Sequence, residues 1–252
     1  MKAVVVVPTY NERDNLEKLV NQILSQPVVC DILIVDDNSP DGTGAIADRL
    51  AASFPGKVAV LHRLRKEGLG RAYVAAFRHI FELDYDLVIQ MDADLSHSPS
   101  YLSDLLREIR DHDLVLGSRY VRGVNVVNWD FKRLLLSKLA TQYVRLITGM
   151  RFTDATSGFK CWRRELLEAL DLDSLLANGY LFQIEATYQA FQMRFRIAEV
   201  PIIFYERDFG RSKIDLNVIS EALFGVIQLR LRRLFSRRAN PAPRRKRLTV
   251  SG

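Results

Sequence analysis

The chain has 252 residues, 48% of them apolar, with a net charge of +6; that suffices for one substantial core and excludes a disordered or fibrous protein. Two cysteines, Cys30 and Cys161, are too few for a disulfide framework or a zinc cluster and are expected as buried thiols in a reducing compartment. Residues 230–252 hold nine Lys/Arg and no Asp/Glu, so the preceding 229 residues carry −3 and the positive charge belongs to the tail.

The apolar run 3–7 carries one flanking Lys and ends at Pro8, which reads as a first strand and not as a signal peptide. Behind it, Leu16, Leu19, Val20, Ile23 and Leu24 share one helical face, with Asp14 and Asn15 offering capping oxygens. Runs 32–35, 58–61, 87–91 and 114–116 repeat the strand signal. Between them lie helix-period segments carrying Ile46, Leu50 and Phe54, then Ala72, Ala76, Phe77 and Ile80, then Leu102, Leu105, Leu106 and Ile109. This winding predicts an α/β fold, a mostly parallel central sheet covered by helices, up to about residue 117. Beyond it the pattern turns more mixed: a helix over 129–147, a strand over 159–163, a helix over 181–191 and a strand over 197–205 broken by Pro201. Leu216, Ile219, Leu223, Phe224, Ile227, Leu231 and Leu234 form a last amphipathic helix that runs into the arginine cluster, and 236–252 reads as a basic, disordered tail. No apolar stretch approaches the ~20 residues of a membrane span, so any membrane contact is made from one side. The basic tail suits an anionic lipid surface better than nucleic acid.

In an open parallel sheet, ligands bind beyond the carboxyl ends of the strands. There the chain places PTYNE (8–12), DDNSPDG (36–42) and DADLS (92–96), three loops rich in carboxylates. The first turn contains no glycine to cradle a pyrophosphate, and Gly68 and Gly70 follow the third strand as helix-entry glycines, which argues against a dinucleotide oxidoreductase. Phosphates without such a cradle need another positive charge, and a divalent metal, Mg or Mn, held by Asp92 and Asp94 supplies one. D-x-D occurs four times, but only Asp92/Asp94 caps a strongly apolar strand; Asp84/Asp86, Asp111/Asp113 and Asp171/Asp173 read as solvated turns.

Together with GLGRA (68–72), GSRY (117–120), TSGFK (156–160) and ERDFGRSK (206–213), these motifs resemble family 2 nucleotide-sugar glycosyltransferases of GT-A fold, and within them the dolichol-phosphate or polyprenol-phosphate mannose synthases. The resemblance runs from residue 3 to about 213. It implies that Pro8, Tyr10 and Glu12 border the nucleotide and that Val35 and Asp37 recognise base and ribose. Asp92, Ala93 and Asp94 would contact ribose and diphosphate, with Asp94 the firmest metal ligand. Arg119 would reach the sugar-phosphate or the acceptor phosphate, and Arg207 and Lys213 would close a loop over the diphosphate. The implied reaction is inverting transfer of mannose from GDP-mannose to a polyprenyl (dolichyl-type) phosphate.

A phosphate monoester acceptor is already an oxyanion, so no strong general base is required. His97 is accordingly read as a turn residue and Glu185 as a residue orienting the acceptor side, while an ordinary salt bridge is the plain alternative for Arg119. At Asn38 many relatives carry glycine, though asparagine also tolerates left-handed angles. Trp129, Phe131 and the 134–136 run either form a lipid-facing lip or pack in the core. The expected organisation is one GT-A catalytic domain, 1–235, with a nucleotide-binding half (1–117), an acceptor-side half (118–214) and an amphipathic helix (215–235). The expected location is peripheral, on the cytoplasmic face of a membrane, docked on the bilayer or on a membrane-anchored partner protein, with no nucleic acid. Two alternatives stand beside this reading: a sister transferase using a UDP-sugar, and a non-enzymatic membrane-surface adaptor on an inactive transferase fold.

Overall fold

The computed structural model describes residues 1–175, 180–205 and 224–232. Its first half is the expected winding: β1 (Ala3–Thr9), α1 (Leu16–Leu24), β2 (Cys30–Asp36), α2 (Thr43–Ser53), β3 (Val58–His62), α3 (Leu69–Phe81), β4 (Leu87–Gln90), α4 (Leu102–Glu108) and β5 (Leu114–Ser118). A short β6 (Val126–Val127) leads into α5 (Phe131–Thr148), followed by β7 (Lys160–Arg163), α6 (Arg164–Ala169), α7 (Tyr180–Gln192), β8 (Ile197–Pro201) and β9 (Phe204–Tyr205).

Seven strands form one sheet in the order β3-β2-β1-β4-β7-β5-β8. β1 to β4 pair in parallel, as do β5 and β8, while β7 runs antiparallel between β4 and β5. The sequence gives no hint of that insertion, which separates two strands that follow one another in the chain. β6 and β9 pair in parallel as a separate two-stranded ribbon.

Every residue of β2 and β4 is buried, as strands covered on both faces require. On one face Val5, Val7, Ile32, Ile34 and Ile89 meet Leu16, Leu19 and Ile23 of α1, Leu50 of α2 and Leu105 of α4. On the other, Val4, Val6, Val35, Val88 and Trp162 meet Tyr73, Phe77 and Ile80 of α3 and Phe182 of α7. Each fully buried Leu or Ile in these layers contributes roughly 1.5–3 kcal/mol. A third cluster joins Val144 of α5, Ile184 and Tyr188 of α7, and Val226 of the helical segment 224–232.

Several expectations need correction. Asn15 sits at the N-cap of α1 without a side-chain cap bond. Its Nδ2 donates to Glu12 Oε2, and the backbone N–H groups of Asn15 and Leu16 donate to the Glu12 carbonyl instead. The helix expected from 129 begins at Phe131, because Asp130 takes the N-cap and accepts from Arg133 N. Asp113 is not a solvated turn residue: it is buried and accepts from Arg196 N at 2.8 Å. Cys30 and Cys161 are free and buried, as expected, and Gly68 enters α3 at φ 100°. The expected tail 236–252 and most of the helix 215–235 lie outside the described residues. Among the described residues, no helix is long and apolar enough to cross a membrane.

Candidate active site

The strand order reverses between β1 and β4, and the loops leaving β1, β2 and β4 meet at the crevice this creates. Loops one and two are laced together: Asn11 N donates to Ser39 Oγ (3.1 Å), Glu12 N to Thr43 Oγ1 (3.0 Å) and Arg13 N to Asp41 Oδ2 (3.2 Å). Beneath them lies Asp36, whose Oδ1 accepts from Ser39 Oγ (2.6 Å) and Thr9 Oγ1 (3.2 Å). A Cβ on Gly44 would come within 3.0 Å of Asp36 Oδ2, so glycine there gives that carboxylate its room.

Pro8, Tyr10 and Glu12 are half-buried along this crevice. Lys66 Nζ lies 3.9 Å from the Tyr10 ring centroid, which ties the β3–α3 loop to the first loop. Asp37 is buried and binds Arg63 Nη1 at 2.5 Å. Burial raises its carboxyl above the ordinary value and Arg63 offsets only part of that rise. Arg63 Nη2 continues to Glu67 at 2.8 Å. Asn38 adopts φ 56°, the left-handed angle its residue type tolerates, and its Nδ2 reaches the Leu64 carbonyl. Val35 differs from the expectation: its side chain is fully buried in the sheet core, and only its backbone faces this layer, accepting from Thr9 Oγ1.

At the end of β4, Asp92 is half-buried and Asp94 and Ala93 are buried. Asp94 is thus not an exposed ligand, as a loop carboxylate would suggest. Its Oδ1 accepts from Ser96 N (3.0 Å) and Ser96 Oγ (2.5 Å). The turn is tight enough to hold Leu95 at φ 62°, a costly angle for a γ-branched side chain. Behind the pair lies Tyr73 of α3, whose phenol is pushed well above its ordinary value by burial and by the charges of Asp92 and Asp94. Two carboxylates on one turn are hard oxygen donors suited to Mg or Mn. No group of three or more His, Cys, Asp or Glu able to hold a metal occurs among the described residues. Two carboxylates alone would leave the other positions of such a cation to phosphate oxygens and water, the usual manner of Mg²⁺. Gly158 keeps the neighbouring turn clear, since a Cβ there would lie 3.3 Å from Asp92 Oδ2.

His97 is not a turn residue at the surface. It is buried, its Nδ1 accepts from Asp92 N at 3.3 Å, and its ring stacks on Phe159 (5.1 Å) and meets Phe204 edge-on (5.4 Å). Both aromatic partners lie far along the chain, so nothing near His97 in the sequence signalled this.

Arg119 follows β5 and is buried in a fork with the fully buried Asp154. Nε binds Oδ2 at 2.6 Å, Nη2 binds Oδ1 at 2.7 Å, and Nη2 also reaches Thr156 Oγ1 at 2.8 Å. Arg119 is thus held in an ion pair, the plain alternative for this residue. The guanidinium lies 5.5 Å from the rings of both Trp129 and Phe204. Arg133, in the first turn of α5, lies 4.3 Å from the Trp129 ring centroid. Trp129 Nε1 is buried without an acceptor among the described residues. Arg207 and Lys213 lie outside the described residues.

Lys160 is fully buried opposite Gln90 in the β4–β7 register, donating to Gln183 O (2.7 Å) and Thr187 Oγ1 (2.9 Å). Desolvation lowers its pKa to about 7. Glu185 is buried on α7 nearby.

Comparison with known proteins bears on this geometry. The family model described as glycosyl transferase family 2 matches residues 4–171. The chain is 45% identical over 232 residues to polyprenol monophosphomannose synthase of Mycolicibacterium smegmatis, covering 92% of this chain and 88% of that one. It is 43% identical over 226 residues to undecaprenyl-phosphate mannosyltransferase of Micrococcus luteus, covering 90% and 93%. Among solved structures, glucosyl-3-phosphoglycerate synthase from Mycobacterium tuberculosis superposes with a TM-score of 0.67 at 20% identity over 90% of this chain and 79% of that one, which shows the shared fold. The same enzyme with Mn2+, uridine-diphosphate and glucosyl-3-phosphoglycerate gives 0.64 at 21% over 92% and 79%. With a matched model spanning the crevice and relatives aligned along nine-tenths of its length, the chain belongs to glycosyl transferase family 2.

Proposed function

We propose that this glycosyltransferase moves a mannosyl unit from GDP-mannose onto the phosphate of a polyprenol, inverting the anomeric centre and releasing GDP. The observation that carries the reading is the pair of relatives named for mannosyl transfer to polyprenyl phosphates, each aligned along most of both chains. The acceptor side supports it: Arg119, Arg133 and the buried Trp129 Nε1 make a cationic, donor-rich wall suited to a phosphate. One ring, Phe204, separates that wall from His97 and the Asp92 turn.

In this reading Pro8, Tyr10, Glu12 and Asp37 hold the nucleoside end of the donor, and Asp92 and Asp94 hold Mg²⁺ or Mn²⁺. The cation, when bound, neutralises the diphosphate that departs. Arg119, fixed by Asp154, and Arg133 orient the acceptor phosphate. One of its oxygens forms the new bond to the anomeric carbon, and the bond from that carbon to the donor phosphate oxygen breaks with its electron pair leaving on GDP. His97 and Glu185 have no proton to remove, because the acceptor is already anionic. Arg207 and Lys213 are proposed to close over the diphosphate.

The lipid end of the acceptor requires contact with a bilayer, and α5 offers a surface for it. Phe131, Leu135 and Leu136 are 75%, 46% and 38% exposed, which supports the lipid-facing reading for them, and Leu139 and Leu146 extend the exposed stretch along the helix. The helix carries Lys132, Arg133, Lys138 and Arg145 and no acidic residue. Segment 224–232 packs beside it through Val226, and exposes Phe224, Ile227 and Leu231 next to Arg230 and Arg232. Apolar stripes flanked by Arg and Lys suit peripheral docking on an anionic leaflet, and the two free thiols suit the cytoplasmic side. To test the donor assignment, the full chain is incubated with polyprenyl phosphate and either labelled GDP-mannose or labelled UDP-glucose. Lipid-linked label is expected from GDP-mannose alone; equal turnover of UDP-glucose would overturn the mannose reading.

A further inference from the structure

Asp92 belongs to a turn that the backbone does not favour. Leu95 is held at φ 62°, and three contacts from outside the turn's own residues keep it closed. The first is Asp92 N–H donating to His97 Nδ1, which also lies 3.8 Å from Asp92 Oδ2. The second is Tyr205 N–H donating to the Ser96 carbonyl at 3.2 Å. The third is the backbone bridge between His97 and Phe204. An acceptor role for Nδ1 puts the ring proton on Nε2 and fixes the ring's orientation. The flanking rings of Phe159 and Phe204 leave the imidazole little freedom to turn. Phe204 in turn meets Trp129 (5.5 Å) and the Arg119 guanidinium (5.5 Å), and β9, to which it belongs, pairs with β6 on the way to α5.

We propose that His97 is a positioning residue: held between Phe159 and Phe204, it fixes the Asp92 turn through Nδ1 and ties that turn to the Arg119–Trp129 wall, so that cation-assisted binding of the nucleoside diphosphate depends on an imidazole that touches neither. The inference rests on the reading of Asp92 and Asp94 as the cation-holding pair. It adds a residue whose ring, hydrogen bond and aromatic neighbours each have a separable effect.

Binding of GDP to the full chain is measured by calorimetry with Mn²⁺ and with chelator, and bound Mn²⁺ is followed by electron paramagnetic resonance. His97→Phe keeps the stack and removes the acceptor, whereas His97→Asn keeps an acceptor near the Nδ1 position. His97→Phe is expected to weaken Mn²⁺-dependent GDP binding about 10- to 100-fold, the range typical of losing an outer-shell partner, and to leave chelator-insensitive GDP binding unchanged. His97→Asn is expected to recover most of the loss, which a merely structural histidine would not allow. Phe204→Leu, which leaves Asp92 untouched, is expected to show a weaker loss of the same kind and serves if His97→Phe fails to fold. Mn²⁺-dependent binding within twofold of the parent in His97→Phe, or in Phe204→Leu where the former does not fold, would overturn the proposal. If the parent protein itself binds GDP equally with and without Mn²⁺, the cation reading of Asp92 and Asp94 fails and the role of His97 falls with it.

Discussion

Asp94→Asn is expected to leave the fold intact and to reduce sugar transfer by on the order of 10²–10³-fold, the scale seen when one electrostatic stabiliser of developing charge is removed. The geometry makes the substitution clean. Oδ1 accepts both Ser96 bonds, and asparagine retains an oxygen there, so the turn and its strained Leu95 stay closed. Only the negative charge is lost, and Asp92 alone is left to hold the cation. Transfer of label from GDP-mannose to polyprenyl phosphate measures the first effect and circular dichroism the second. Activity within tenfold of the parent would remove Asp94 from the centre.

Asp154→Asn is expected to act on stability first and on activity through it. The Asp154 carboxylate is fully buried, which by itself would raise its pKa. The charge and hydrogen bonds of Arg119, with a bond from Thr156, outweigh burial and hold it below the ordinary aspartate range. Neutralising it strands the buried Arg119, at a cost of about 3–5 kcal/mol. For a chain of this size that lowers the melting temperature by roughly 10 °C. The pH dependence has a definite sign. A carboxyl with a lowered native pKa contributes stability that is fully present above its unfolded value of about 3.9 and is lost as pH falls through the native value. The difference between parent and variant is therefore largest near neutrality and narrows below about pH 4, as denaturant melts across that range will read. A gap that stays constant on acidification would contradict the ion-pair account. Asp154 also fixes the Arg119 guanidinium, so with the proposed role of Arg119 at the acceptor phosphate the folded fraction of the variant is expected to lose acceptor affinity.

The elements up to β5 were legible because β1, β2, β4 and β5 are almost wholly buried and each helix buries one face, so periodicity carries the signal; only the edge strand β3 is partly exposed. Asp92 and Asp94 do follow a fully buried strand, the position from which the sequence singled them out among the four D-x-D pairs. What sequence reading missed depends on contacts between distant segments. β7 lies between β4 and β5 because Cys161 and Trp162 fill the two core faces there, a pairing across some seventy residues that no local pattern encodes. His97 looked like a turn residue because Phe159 and Phe204, which bury it, are remote. Asp154, the buried partner of Arg119, lies 35 residues away in the chain and two residues ahead of the 156–160 motif, so no local pattern linked the two. Asp113 was misjudged because its partner, Arg196 N, lies 83 residues away, just ahead of β8. The exposure of α5 was underdetermined as well: a run such as Leu134 to Leu136 looks alike whether a core or a bilayer covers it.

The proposed transfer depends on a divalent ion held by Asp92 and Asp94 with the donor diphosphate. Its most direct test is the initial rate of mannosyl transfer from GDP-mannose to polyprenyl phosphate in protein stripped with chelator, then resupplied with Mg²⁺ or Mn²⁺. The expected result is a rate near background in the stripped protein and recovery on adding either ion; transfer at the untreated rate with chelator still present would contradict it.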